Sequence, residues 1–331
     1  MTLTDALGRS IDYLRVSVTD RCNLRCRYCM PPEGVPARPH DEILRFEEIT
    51  RIVRAAAGLG VSKVRLTGGE PLVRKGIVSL VGMLRGIPGL GELAMTTNAT
   101  LLERFAADLA AAGLDRVNVS LDTLDPARYA EITRGGALAD ALRGLEAAER
   151  AGLTPIKLNA VVQRGFNDDE VAALASLTLQ RAWSVRFIEM MPLNGDGDGC
   201  AERLVPSDEV RARIEAALGA LEPLQAEGGA RGAGPAVRYR LPGAPGTVGF
   251  ISPVSAHFCA ACNRLRLTAD GRLRLCLLSA AELDLRAAVR AGAGEAELQE
   301  ILRQAVRAKP AGHRLAGAGG PGGRLMSQIG G

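Results

Sequence analysis

The stretch YLRVSVTDRCNLRCRYCMP, residues 13–31, joins two features that decide the fold and the chemistry together. Its first eight residues alternate apolar and polar, the period of a β-strand, and three cysteines follow at once where that strand ends. Cys22, Cys26 and Cys29 are spaced three residues and then two, which gathers three thiolates into one loop. Three thiolates suit three corners of an iron–sulfur cubane and leave its fourth iron without a protein ligand. A disulfide would strand one cysteine and needs an oxidising compartment, while structural zinc wants a fourth ligand; the nearest histidine, His40, lies beyond a proline-rich turn.

Working outward, the strand-then-helix unit recurs. KVRLT, LAMTTN, RVNVSL, PIKLNAVV and SVRFIEMM read as strands, separated by helical stretches such as EEITRIVRAAAGLG, TLLERFAADLAAAGL and DALRGLEAAERAGL. Gly58, Gly113 and Gly152 stand where left-handed helix caps are expected. Repeated βα units argue for parallel strands covered by helices. No GxGxxG turn follows the first strand, and the polar residues gather at the ends of all six strands rather than at one switch point. The expected architecture is therefore α/β, an incomplete (β/α)6 TIM-like barrel with its site at the C-terminal mouth. Six units are fewer than eight, so one side should stand open and need a cover. The expected division is a barrel over residues 1–225 and a C-terminal α+β region over residues 226–331, with a Gly/Pro/Ala-rich transition from Glu222 to Gly246.

The C-terminal region has its own cysteines. Cys259, Cys262 and Cys276 lie in FCAACNRLRLTADGRLRLC, where Asp270 and Gly271 make the turn of a predicted hairpin. A second cluster, or zinc with His257 as fourth ligand, fits this pattern. Cys200, the seventh cysteine, stands alone in a Gly/Asp loop, and its role stays open. At 331 residues, 47% hydrophobic and formally +4, the chain reads as globular, without a signal-peptide pattern or an apolar run of membrane length, and with too little net charge to argue for nucleic acid. A cytoplasmic location is expected, where thiols stay reduced.

Where the cations sit says more than their sum. Arg15, Arg65 and Lys157 fall on alternating strand positions able to turn inward, with Arg186 beside them. Arg264 and Arg266, two apart on a strand, share one face and could grip phosphate in bidentate fashion. Several buried cations in one mouth imply a polyanionic ligand or unseen carboxylates. No GxxxxGK[ST] loop is present, so a nucleotide would be held by side chains.

The CxxxCxxC loop resembles the signature of radical S-adenosylmethionine (SAM) enzymes. VRLTGGEPLVR, TTN, VNVSLD, RFIEMMP, the CxxC…C group with its RLR, and the terminal GG follow in the order of one branch of that superfamily, the GTP 3′,8-cyclase family. The resemblance implies two [4Fe-4S] clusters, one on Cys22, Cys26 and Cys29 and one on Cys259, Cys262 and Cys276, with Tyr28, Gly69, Ser120 and Met191 around SAM. It implies GTP contacts from Arg15, Arg65, Thr96, Lys157, Arg264, Leu265 and Arg266, with Arg15, Arg264 and Arg266 catalytic. The implied reaction converts GTP to (8S)-3′,8-cyclo-7,8-dihydroguanosine 5′-triphosphate, the first step of molybdenum cofactor biosynthesis. A 5′-deoxyadenosyl radical takes the ribose 3′ hydrogen. The implied partners are an electron donor and, downstream, cyclic pyranopterin monophosphate synthase, with no nucleic acid or membrane, and a homodimer is the assembly to test for. The family's TTNG is TTNA here; if position 99 needs a positive φ, Ala99 is strained by about 1 kcal/mol. Competing readings are a radical SAM enzyme that modifies a peptide and a zinc-stabilised binding module.

Overall fold

The computed structural model describes residues 2–36, 38–192, 200–225, 234–313 and 324–330. Most of the Gly/Asp loop before Cys200, the middle of the Glu222 to Gly246 transition, most of the glycine-rich stretch before Arg324, and Gly331 lie outside the described residues.

The expected units form. Strands β1 (Tyr13–Ser17), β2 (Lys63–Thr67), β3 (Glu92–Thr97), β4 (Arg116–Ser120), β5 (Lys157–Val162) and β6 (Ser184–Glu189) alternate with α1 (Phe46–Gly58), α2 (Ile77–Arg85), α3 (Ala106–Ala111), α4 (Pro126–Thr133), α5 (Leu138–Arg150) and α6 (Val171–Gln180). Local chemistry sets the helix ends. Pro126 opens α4 behind Asp125, whose carboxylate accepts the Ala127 and Arg128 N–H groups at 2.7 and 2.9 Å. The left-handed caps fall on Gly113 (φ +96°) and Gly152 (φ +75°) as expected. At the first helix the expectation needs correction: Gly58 stays helical and Gly60 takes the positive φ of +96°, two residues later.

After β6 come α7 (Cys200–Arg203), α8 (Ser207–Leu218) and strands β7 (Glu222–Pro223), β8 (Val237–Arg240) and β9 (Thr247–Ile251). Then β10 (Arg264–Leu267), β11 (Arg272–Arg274) and β12 (Glu282–Asp284) precede α9 (Leu285–Arg290), α10 (Glu295–Arg307) and α11 (Met326–Ile329). All strands join one sheet in the order β12-β11-β10-β1-β2-β3-β4-β5-β6-β9-β8-β7. β10 pairs with β1 in parallel and β9 pairs with β6 in parallel, so the parallel row is two strands wider than its six βα units. β9 and β10 do not pair with each other, and the barrel stays open there.

That opening dictates the path of the chain. Because β9 and β10 both run with the barrel strands, the segment 252–263 must return from the C-terminal end of one to the N-terminal end of the other. It is this crossing that carries Cys259 and Cys262 past the open side. Glu189, at the end of β6, anchors its start by accepting the Val254 and Ser255 N–H groups, each at 2.9 Å. Beyond it, β10 and β11 form the expected hairpin, with Leu267 opposite Leu273 and Gly271 at φ +79°.

The two faces of the strands differ in kind. Leu14, Val16, Val64, Leu66, Leu93, Val117, Val119, Leu158, Val185, Phe187 and Val248 face outward and are buried under the helices. Each such burial stabilises by about 1.5–3 kcal/mol. The alternate positions face inward and are mostly polar, so the interior is not filled by branched apolar layers as in a closed TIM barrel.

Ala99 does adopt φ +63°. Its carbonyl points at α5, where a Cβ on Gly144 would meet Ala99 O at 2.1 Å. Gly144→Ala should therefore destabilise the fold by about 1–3 kcal/mol. Thermal or urea unfolding decides it, since mid-helix Gly→Ala elsewhere normally stabilises.

Candidate active site

The cysteine loop is positioned from three sides. Beneath it, Gly68 and Gly69 let the end of β2 press against the chain. A Cβ on Gly69 would lie 2.3 Å from Arg21 O, and a Cβ on Gly68 would lie 2.5 Å from Thr19 O. The Gly69 and Glu70 N–H groups donate to Thr19 O and Arg21 O, both at 2.8 Å. To one side, the last turn of α4 receives the loop: Arg25 N–H donates to Thr133 O at 3.0 Å and Arg27 N–H to Ile132 O at 2.9 Å. Arg134, left-handed at φ +54°, donates from one Nη to both Arg25 O (3.0 Å) and Met30 O (2.8 Å). Below, Tyr28 donates its hydroxyl to Asp122 Oδ2 at 2.8 Å, while Asp122 Oδ1 accepts Val161 N–H at 2.8 Å. Burial pushes the Asp122 carboxyl up to about 6.

Glu70 ties β2 to β3. It accepts Leu72 N–H at 3.1 Å, the Thr97 hydroxyl at 2.8 Å and Asn98 N–H at 2.7 Å. Burial raises its carboxyl to about 7 against those bonds.

A single cavity joins what the sequence kept apart. Cys22, Cys26 and Cys29 line it together with Cys259, Cys262 and Cys276, and all six are free thiols. Tyr28, Gly69, Ser120 and Met191 line it, as do Arg15, Arg65, Thr96, Arg264 and Arg266. Lys157 does not: it lines a smaller cavity that shares Arg186 with the main one. Leu265, between two inward arginines, turns its side chain into the outer core. The two arginines also part company. Arg266 donates to Gly330 O at 2.6 Å, whereas Arg264 sets its guanidinium 5.0 Å from the Phe258 ring centre.

The interior is a field of like charge. Burial, then the neighbouring arginines, lowers Arg15 well below its ordinary range, takes Arg186 down to about 9, and brings Lys157 to about 6. Burial with Arg264 beside it holds Arg266 at about 10. Arg116 differs in having partners, Glu92 and the Asn118 side chain, the latter at 2.6 Å. Among the described residues no carboxylate pairs with Arg65, Lys157, Arg186 or Arg266.

Sequence reasoning passed over Tyr13, Asn118, Asn159 and His313 on the cavity wall and Asp122 behind it. The strand alternation that marks Arg15 marks Tyr13, Asn118 and Asn159 equally; nothing in the sequence marks His313.

Comparison with known proteins follows the same layout. Residues 16–178 match the Radical SAM superfamily model and residues 183–315 match the Molybdenum Cofactor Synthesis C model. The chain is 55% identical over 329 residues to the GTP 3′,8-cyclase of Pelotomaculum thermopropionicum, covering 99% of this chain and 100% of that one. It belongs to the GTP 3′,8-cyclase family. The GTP 3′,8-cyclases of Heliobacterium modesticaldum and Moorella thermoacetica are 54% and 51% identical, again over 99% of this chain and 100% of each relative. The crystal structure of Streptococcus suis SuiB bound to S-adenosylmethionine shares the fold at TM-score 0.61 and 16% identity, covering 90% of this chain and 68% of that one. As a radical SAM enzyme, a GTP 3′,8-cyclase carries a [4Fe-4S] cluster and binds SAM. Among the described residues no helix is long and apolar enough to cross a membrane.

The cation field has a measurable cost. Lys157 is near pKa 6 when folded and ordinarily near 10.5, so folding expels its proton. The resulting penalty is absent above the ordinary value, grows as pH falls, and levels off below about 6. Lys157→Met should stabilise the ligand-free protein by about 1–3 kcal/mol at neutral pH. Unfolding curves taken from pH 9 down to 6 should show that gain increasing.

Proposed function

We propose that this chain cyclises GTP to (8S)-3′,8-cyclo-7,8-dihydroguanosine 5′-triphosphate, with SAM at the barrel mouth and GTP between two cysteine trios. The observation that carries the reading is the shared cavity, in which both trios meet Arg65, Arg186 and Arg266, for which no carboxylate partner is found among the described residues. A peptide-modifying radical SAM enzyme would have no need of that cation field, and the relatives at 51–55% identity are GTP 3′,8-cyclases.

The donor sets fit iron–sulfur clusters. Burial, with Glu70 nearby, pushes the Cys22 thiol up to about 11, and burial, with Cys22 beside it, pushes the Cys29 thiol up to about 12, so these sulfurs need bound metal to ionise. Cys22, Cys26 and Cys29 would hold the cluster that binds SAM, and Cys259, Cys262 and Cys276 a second one beside the purine. When bound, the first cluster supplies the electron that cleaves SAM to the radical that takes the ribose 3′ hydrogen.

The chain's own residues bind, orient and shield. Tyr28, fixed by Asp122, with Gly69, Ser120 and Met191, would form the SAM pocket. Arg15, Arg65, Arg264 and Arg266 would hold the nucleotide with Thr96, the Leu265 backbone adding a contact and Lys157 reaching the phosphates from the adjoining cavity. Arg264 and Arg266 on β10, with Arg15 opposite Arg266 on β1, are assigned catalytic roles in placing the base and the ribose. Residues 1–225 would supply the six βα units, and 226–331 the two added parallel strands and the second trio. The pathway reading adds a cytoplasmic electron donor and cyclic pyranopterin monophosphate synthase as consumer of the product.

Two measurements test this. Anaerobically reconstituted protein should hold about eight irons and turn GTP, SAM and a reductant into the cyclised nucleotide. SAM cleavage with GTP returned unchanged would sink the assignment. Anion binding should also return a proton to Lys157, so calorimetric titration with GTP at pH 7.5 in buffers of different ionisation enthalpy should report uptake of about one proton, lost in Lys157→Met.

A further inference from the structure

We propose that Lys309 is the buried cation that sets the charge balance and the reduction potential of the centre held by Cys259, Cys262 and Cys276. The inference rests on reading that trio as ligands of a second [4Fe-4S] cluster, and it assigns a positioning residue far from both cysteine motifs in sequence.

Lys309 lies just beyond the C-terminus of α10, and only 5% of it is exposed. Its ammonium has three protons and no acceptor. Two are placed, one on Arg264 O at 2.9 Å and one on Leu275 O. Arg264 follows Cys262 by two residues and Leu275 immediately precedes Cys276, so both bonds hold the ammonium against the second trio's own framework. Among the described residues no carboxylate pairs with it; the negative groups acting on it are the sulfurs of Cys262 and Cys276.

A buried ammonium without a counter-charge costs several kcal/mol. Bound thiolates remove that cost, and the lysine in turn favours the more negative, reduced state of whatever they hold. Hydrogen bonds to the sulfurs and nearby charge are established levers on cluster potential.

The lysine is also held in place. Arg9, buried and paired with Asp5 at 2.5 Å, donates to Pro310 O at 2.7 Å and to Ala311 O at 3.2 Å. The same guanidinium donates to Cys259 O at 2.9 Å. The residues that follow Lys309 are thus bolted to the cysteine turn that it serves.

The test uses the full chain carrying Cys22→Ala, Cys26→Ala and Cys29→Ala, so that only the second centre contributes signal. Lys309→Gln keeps an N–H donor without the charge; Lys309→Arg keeps the charge. Iron content and an EPR-monitored redox titration are read for each. The expected result is a Lys309→Gln midpoint more negative by about tenfold in the reduction equilibrium, about 59 mV for one electron, with Lys309→Arg close to the parent. Loss of iron in Lys309→Gln but not in Lys309→Arg also supports the charge role. Equal midpoints in parent and Lys309→Gln overturn it, as does equal loss of iron from both variants. A parent with Lys309 intact that binds no iron removes the second-cluster reading and the inference with it; bound iron with an unmoved midpoint removes the inference alone.

Discussion

Like charges buried together are the constraint from which the rest of this structure follows. Arg65, Arg186 and Arg266 are each more than nine-tenths buried, burial together with mutual repulsion depresses them, and Lys157 beside them gives up its proton. A barrel interior of this kind cannot hold itself together by packing. The outer face of the sheet has to do so, and the near-complete burial of Val16, Leu66, Leu93, Val119, Leu158 and Phe187 under the helices is the compensating term. Stability and binding are thereby assigned to opposite faces of the same strands, one residue apart.

The open side of the barrel links this constraint to the metal chemistry. With β9 and β10 paired to other strands and not to each other, a chain segment must cross the gap, and a crossing segment has backbone groups to satisfy and side chains to spare. Glu189 meets part of the backbone demand, and Cys259 and Cys262 face the cavity from it. Completing the wall and presenting the second trio are therefore one structural act.

The sequence made much of this legible because period-2 alternation survives in a parallel sheet only when one face is polar. Tyr13 to Ser17 and Lys63 to Thr67 form strands where the alternation places them. The cysteine spacings could be read for the same local reason, three thiols within eight residues. The wider parallel row could not, since TVGFI and RLRL look like any short strands and their partners lie 184–189 and 13–16. Nor could the difference between Arg116 and its unpaired neighbours, which depends on Glu92 arriving one strand away. At Gly58 the pattern misled because GLG offers two glycines, and the helix runs through the first so that the second one turns.

Arg264 and Arg266 illustrate how tertiary contacts redistribute a motif. Two arginines on one strand face suggest a shared grip on one phosphate, yet each is engaged elsewhere. Arg266 is held by Gly330 O, and Gly330 fits there because a Cβ would lie 2.9 Å from Thr67 Cγ2. The short terminal helix that delivers Gly330 is pinned in turn by Arg324, which pairs with Asp270 at 2.9 Å and with Glu282 at 2.7 Å. A guanidinium has five donors, so one bond to a tail carbonyl leaves it able to bind an anion while fixing the plane from which it does so. The tail therefore works on the cavity by orienting Arg266, while Lys309, bonded to Arg264 O and Leu275 O, braces the strands that carry Cys262 and Cys276. Both cations are thus fixed by backbone carbonyls, acceptors that do not titrate.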